Sequence, residues 1–426
     1  MSTVVTGERR ALGPRQVTFL VALAVFAQES MWNFYDNQVP PMLRDHLSSV
    51  ALVGFVMGMD NLLGIFIQPW VANRSDRTRT KWGRRIPYLA FGMPTAALLF
   101  ILLPHAGSSL PLLIVVIVAF ALVSNSFKPI GEALVPDFIA PERRGRANAW
   151  VKIASALTVI VAALVSLLLV DDHPQLAFAV VAAITLVSVT VLCLSMRDSD
   201  SPGYRAALAE DGDEEHSRVG EGRIRDTVLE ILRDTDRSRL QLIIAIFVFG
   251  CAWAASRALI TPYGMETLGL SRGDAGGLTL PSGVAFLLAA YPTARLAERF
   301  GRLRTMAVGM GIFVFGMLLG TFLLTATGTV VAFCIAAAGA SAFLVNAVVV
   351  LWNLAPSARV FGTYAALYAV GWQAGAFLGP ALVGLAVDLL GWPSMLLDVA
   401  VLASIALVIV LHIDRRQQRT ATAAVV

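Results

Sequence analysis

Twelve apolar stretches recur along this 426-residue chain, each close to the ~20 residues a helix needs to span the bilayer hydrocarbon. They centre near residues 28, 61, 95, 120, 158, 186, 251, 286, 314, 340, 373 and 402. In lipid, every backbone N–H and C=O has to be satisfied within the protein, so segments of this length must be helices. The composition agrees: 57% of residues are hydrophobic and 15% charged, against about 25% charged in a soluble domain. The expected fold is an all-α integral membrane protein with twelve transmembrane helices. The first stretch, from about Val17 through Pro40, exceeds the ~7–15-residue core of a signal peptide and lacks a small-residue cleavage site, so it counts as a helix.

Charge placement predicts orientation. Residues 68–88, QPWVANRSDRTRTKWGRRIPY, carry Arg74, Arg77, Arg79, Lys81, Arg84 and Arg85 between two apolar segments. In hydrocarbon these charges would cost more than the flanking helices offset, and such clusters mark the cytoplasmic side. The same side receives Arg9, Arg10 and Arg15; Arg143, Arg144 and Arg146; the segment from Arg205 to Arg239; Arg295, Arg299, Arg302 and Arg304; Arg359; and Arg415, Arg416 and Arg419. The alternate loops hold only Arg44 and Arg272. Both termini are expected in the cytoplasm and the protein in the cell membrane. An odd helix count would put the C-terminal arginines outside, so charge independently supports an even number.

Other classes are disfavoured. The net charge is +4, and the basic residues sit at helix ends, not in a stripe with stacking aromatics, so no nucleic-acid partner is expected. Cys193, Cys251 and Cys334 fall singly in apolar segments and read as small buried hydrophobes. No G-x-x-x-x-G-K-[ST] loop, nucleophile–base constellation or metal-ligand spacing stands out, so neither an enzyme nor a metal site is expected.

The chain divides into residues 1–197, a linker at 198–238, and residues 239–426. Residues 198–216 are rich in Asp, Glu and Ser and read as flexible. Beyond them, Ile224, Val228, Ile231 and Leu232 recur at helical spacing. They fit either an amphipathic helix at the inner surface or a solvated linker. The flanking parts repeat. YPTARLAERFGRLRTMAVGMG (291–311) echoes the basic loop. Each has an acid–Arg pair (Asp76-Arg77; Glu298-Arg299), then a glycine with arginines (Gly83-Arg84-Arg85; Gly301-Arg302), then a new helix. Likewise Ala140-Pro141-Glu142-Arg143-Arg144 echoes Ala355-Pro356-Ser357-Ala358-Arg359. Two motifs at one offset of about 215–222 residues point to six plus six helices, the parallel repeat of secondary transporters.

The D-R-x5-G-R-R loop resembles the signature of the major facilitator superfamily. Its longer form, Q-P-x5-S-D-R-T-x-T-K-x-G-R-R-x-P-Y, resembles the glycoside–pentoside–hexuronide:cation symporters and the sucrose transporter group. Met59-Asp60-Asn61, Ala133-Leu134-Val135-Pro136-Asp137 with Arg144-Gly145-Arg146-Ala147-Asn148, and Ala355-Pro356-Ser357 with Gly362-Thr363-Tyr364 extend that resemblance. It implies two pseudo-symmetric six-helix halves and alternating-access symport of a sugar or glycoside with H+ or Na+, without naming the sugar. There are departures. Asp60 is the only acid in the body of helix two, where melibiose carriers have paired acids for Na+. Lys128 stands where the family often has Arg. Helix five, Val151 to Val170, has no glycine or proline and so lacks the Gly-Pro motif of drug/proton antiporters.

Several intramembrane polar residues are candidates for the chemistry. Asp60 lies about 18 Å from the outer end of its helix. A lone acid there costs about 2.5–3.5 kcal/mol on insertion scales, so it should pair, protonate or face water. It reads as a coupling site, as the partner of a buried cation, or as a substrate contact. Glu29, Trp32, Asn33 and Asp36 share a face of helix one at i, i+3, i+4 and i+7. They supply hydroxyl acceptors and an aromatic surface for a sugar ring, although Trp32 with Tyr35 also suits an interfacial belt. Lys128 forms either a local pair with Glu132 or a switchable one with Asp60 or Glu29. Arg257 either binds substrate hydroxyls or snorkels outward, and Trp253 one turn earlier could stack on a ring. Asn61, Asn346, Tyr368, Trp372 and Gln373 are further candidates. Asp76, Arg77, Gly83, Arg84, Arg85, Glu298 and Arg299 read as a cytoplasmic gate or as a topology signal alone. Gly375 and Gly379 mark helix eleven for close packing.

The leading expectation is a sugar symporter with H+ favoured over Na+, no other cofactor, a lipid bilayer around it and a monomeric state. A proton-coupled exporter of drugs or metabolites and a non-transporting sugar sensor are the alternatives.

Overall fold

The computed structural model describes residues 13–139, 141–205, 237–354 and 361–423. The amphipathic helix expected around 224–232 and the 355–359 repeat motif lie outside them. Six long helices come first: α1 (Pro14–Arg44), α2 (Val50–Asp76), α3 (Ile86–Ala106), α4 (Leu110–Phe138), α5 (Pro141–Leu169) and α6 (Pro174–Ser195). The second set is α7 (Ser238–Ala258), short α8 (Ile260–Leu268) and α9 (Arg272–Gly277), then α10 (Leu280–Phe300), α11 (Arg302–Leu323), α12 (Ala326–Asn353), α13 (Phe361–Leu390) and α14 (Met395–Ala423). Among the described residues, eleven segments are long and apolar enough to cross a membrane, and the apolar part of α5, Ile153–Leu169, is shorter. With α5 the twelve expected spans are present. The exterior carries exposed Phe66, Leu288, Phe322 and Leu389, the surface a lipid solvent accepts.

Two hydrophobic clusters form. One is built mainly from α1–α6, the other mainly from α7–α14. The same packing recurs in both. In the first half α1 packs on α5 and α6, α3 on α4 and α6, and α2 on α4. In the second α7 packs on α13 and α14, α11 on α12 and α14, and α10 on α12. The halves meet reciprocally, α2 against α13 and α5 against α10. Gly83 and Gly301 head equivalent turns with φ of +99° and +92°, a region open to glycine at no steric cost.

Glycines make the seams close. A Cβ on Gly54 or Gly58 of α2 would strike the α13 backbone at Pro380 or Phe377. A Cβ on Gly375 or Gly379 of α13 would strike the α7 backbone at Phe247 or Cys251. The small-residue spacing in helix eleven thus brings α13 against α7.

The linker differs from expectation at its start. Asp198 and Ser201 are fully buried. Asp198 Oδ2 accepts from the backbone N–H of Arg84 (2.6 Å) and of Arg85 (2.5 Å). An acid beside two unpaired amides at a helix start caps them, so composition alone misjudged residues 198–205 as flexible.

Candidate functional site

We call the end carrying both termini the terminal end and the opposite one the distal end. At mid-depth α1 and α7 face each other across the seam. Arg257 Nη2 donates to Asn33 Oδ1 at 3.0 Å. Asn33 Nδ2 donates to Thr158 Oγ1 of α5 at 2.8 Å and to the Glu29 carbonyl at 3.1 Å. The guanidinium carbon also lies 6.0 Å from the Trp253 ring centroid, within cation–π range. Asn33, Trp253 and Arg257 are all half-buried. An amide, a hydroxyl, a guanidinium and an indole face therefore converge from three helices and both halves.

A carboxylate cluster adjoins them. Asp60 sits ten residues into α2, about 15 Å from its distal end, and its Oδ1 accepts from Asn61 Nδ2 at 2.8 Å. Asp36, Asp60 and Glu29 are within electrostatic reach of Lys128, and Asp36 also of Arg257. All five side chains are half-buried. Lys128 also feels Glu132, so the local and longer-range readings of that lysine describe one cluster.

Amide groups connect Asp60 to the second half. Asn125 Nδ2 donates to the Asp60 carbonyl at 3.0 Å, Gln68 Nε2 to Asn125 Oδ1 at 2.7 Å, and Gln373 Nε2 of α13 to Gln68 Oε1 at 3.4 Å. Gly64 makes the room: a Cβ there would lie 2.5 Å from Gln373 Oε1 and 2.8 Å from Asn125 Oδ1. Sequence reasoning took Gln373 but missed Gly64, Thr158 and Asn125, which carry no charge to betray them. Gln68 was visible only as the opening of the basic-loop motif.

Other candidates lie elsewhere. Trp32 is buried in the first half, with ring centroids 5.2 Å from Phe120 and 5.5 Å from Tyr35. It thus turns from Asn33 toward α4. Trp372 and Tyr368 pack at the edge of the second cluster. Asn346 is buried and accepts from Arg302 Nη1 at 3.0 Å.

At the terminal end the charged loop bonds within the first half. Asp137 of α4 holds both arginines: Arg84 Nη2 at 2.8 Å and Arg85 Nε at 2.9 Å, all three side chains at most 10% exposed. Asp76 takes Arg85 Nη2 at 2.6 Å, and Ser75 accepts from Arg85 Nη1 at 2.9 Å. Burial acts to lower the Arg85 pKa, but the hydrogen bond and charge of Asp137, with those of Asp76, outweigh it and raise it. Burial pushes the Asp198 carboxyl above its usual range, against the pull of the Arg85 and Arg84 amides. Arg77, Glu298 and Arg299 are exposed. Asp137 was visible only as the last residue of a motif. At the distal end the halves meet through Arg44, which pairs with Glu266 at 3.1 Å, and Arg272, whose Nε donates to Gln38 Oε1 at 2.8 Å.

Two repeated six-helix halves, an apolar exterior and a polar cluster at their junction define a polytopic membrane protein. The family model of the Major Facilitator Superfamily matches residues 18–284 and 242–425, and the chain belongs to that superfamily of transporters. Among solved structures it is similar to a bacterial homologue of the human lysosomal transporter Spinster in an inward-facing, unoccupied conformation (TM-score 0.74, 14% identity, 95% of this chain and 98% of that one). It is also similar to the nucleoside transporter NupG (TM-score 0.70, 11% identity, 94% and 98%). The peptide transporter POT in complex with sulfate is a third (TM-score 0.71, 15% identity, 95% and 94%). No curated protein matches the chain in sequence.

Proposed function

We propose that this transporter carries a sugar or glycoside into the cell by alternating access, driven by H+ bound at Asp60. Asp60 carries the reading. It is a lone acid in the body of α2, half-buried at the seam and within electrostatic reach of Lys128. A proton on Asp60 would cancel its attraction to Lys128 and so tie protonation to the conformational step. Glu29 belongs to the same cluster, and H+ is favoured over Na+ because Asp60 has no neighbouring acid in its helix. Asn33, Asp36, Trp253 and Arg257 are read as the substrate contacts, with Asn61, Trp372 and Gln373 at the margin and Trp32 behind them. Sugar is favoured by the long Q-P-x5-S-D-R loop and by polar donors set beside an indole face; the fold itself is shared by carriers of unlike solutes.

The termini are taken as cytoplasmic, the location as the cell membrane and the protein as a monomer. Under that orientation the terminal end is open to the cytoplasm, and Asp76, Arg77, Gly83, Arg84, Arg85, Glu298 and Arg299 would approach one another when it closes.

The test is uptake of labelled sucrose, maltose, melibiose and glucose into proteoliposomes with an alkaline interior. Accumulation that a protonophore abolishes supports the proposal. No uptake of any of them, with no rescue by Na+, overturns it in favour of export.

A further inference from the structure

The two halves cap each other's helices at the distal end. Asp388, near the C-terminus of α13, accepts from the backbone N–H of Val50 (2.7 Å) and of Ala51 (3.0 Å), the first residues of α2. Ser49 Oγ donates to the same carboxylate at 2.7 Å while accepting from Leu52 N–H. The other junction repeats this with the halves exchanged. Asp171, just past α5, accepts from Gly273 N–H at 2.8 Å and from Ser271 Oγ at 2.5 Å, and Ser271 Oγ accepts from Asp274 N–H. α5 and α13 are repeat equivalents, and so are α2 and the span Arg272–Phe300 that begins at α9.

We propose that Asp171 and Asp388 are reciprocal latches that hold the distal end closed. Orphan amides at a helix start and the positive end of its dipole favour a carboxylate there. Each half supplies the carboxylate the other half's helix lacks. When the distal end opens, these amides and both acids must return to water together. Both carboxylates are exposed, so each latch is weak, as a gate must be if it is to cycle between states a few kcal/mol apart. The packing is matched to the contact. A Cβ on Gly273 would lie 2.6 Å from Asp171 Oδ2 and 2.8 Å from the Ser166 carbonyl. A Cβ on Gly384 would lie 2.5 Å from the Val50 carbonyl. The salt bridge between Arg44 and Glu266 crosses the same end but caps no helix.

The proposal rests on alternating access and on neither the sugar nor the proton, so it is tested without substrate or gradient. Spin labels at Ser108 and Thr325, in loops of opposite halves at the distal end, report its opening by pulsed EPR on the full chain in nanodiscs. Asp171→Asn and Asp388→Asn should each raise the population with a long distance about 3- to 10-fold, and the double variant by about the product. Glu266→Gln should change it less than twofold, as an exposed pair allows. Gly273→Ala, which wedges the seam and crowds the Asp171 carboxylate while leaving its charge in place, should act in the same direction as Asp171→Asn. A double variant with the parent distance distribution overturns the proposal, as does an equal response to Glu266→Gln. Should the Asp variants not fold, an unchanged distribution in Gly273→Ala overturns it as well.

Discussion

Arg257 of α7 donates to Asn33 of α1 at 3.0 Å although 224 residues separate them in the chain. α7 and α1 open their respective halves. The bond therefore joins repeat-related helices across the middle of the molecule, beside the acids of α1 and α2. A solute bound there would touch both halves at once, which alternating access needs.

Removing Arg257 should reach the solute more than the fold. A hydrogen bond to a charged group contributes about 1.5–3 kcal/mol, so Arg257→Ala should weaken substrate affinity about 10- to 100-fold. Arg257→Lys should not rescue it, because an ammonium lacks the planar fork that meets Asn33 and lies over Trp253 together. Equilibrium binding with the transported solute checks both, and affinity within twofold of the parent would remove Arg257 from the site.

Asp60→Asn keeps the shape of the side chain and removes its proton chemistry. Uptake driven by an alkaline interior should fall to background while substrate counterflow persists. Survival of both activities unchanged would show that Asp60 does not couple.

The Asp137 carboxylate pairs with two buried arginines at once. Breaking such a pair leaves uncompensated buried charge, so Asp137→Ala should cost about 3–5 kcal/mol, read as a lowered melting temperature in detergent. Asp76, whose side chain is 55% exposed, should cost about 0–1 kcal/mol when replaced by Ala. Equal losses would mean that burial does not set the strength of this cluster.

Gly379 and Gly311 separate packing from helix propensity. Gly379→Val would push a side chain into the Cys251 carbonyl of α7, whereas a Cβ at Gly311 meets nothing within 4 Å. The first should destabilise by about 1–3 kcal/mol or more. Gly311→Ala should be neutral or stabilising by up to about 1 kcal/mol. Thermal unfolding of the two variants side by side reads the difference.

Much of this architecture is legible in the amino-acid sequence. The apolar stretches can be counted because a lipid-spanning helix needs a fixed length and tolerates few charges. The repeat is visible because Gly83 and Gly301 take the same positive-φ turn ahead of equivalent helices. Asp60, Asn33 and Arg257 stand out because a polar group within an apolar run has a cost that needs a reason. Trp32 shows the limit: helical spacing puts it on one face with Asn33, and only the structure shows its ring packed against Phe120 and Tyr35.

By itself the sequence determined the helices, their number, the pairing of the halves and which polar groups enter the membrane, because each follows from local composition and period. Only the tertiary structure decided which of those groups meet. It joined Arg257 to Asn33, Gln373 to Gln68, Asp388 to Val50 and Asp171 to Gly273. Each of these bonds crosses the seam between halves, and its length is set by how closely glycine-lined helices approach, a property of two surfaces together that no single segment encodes.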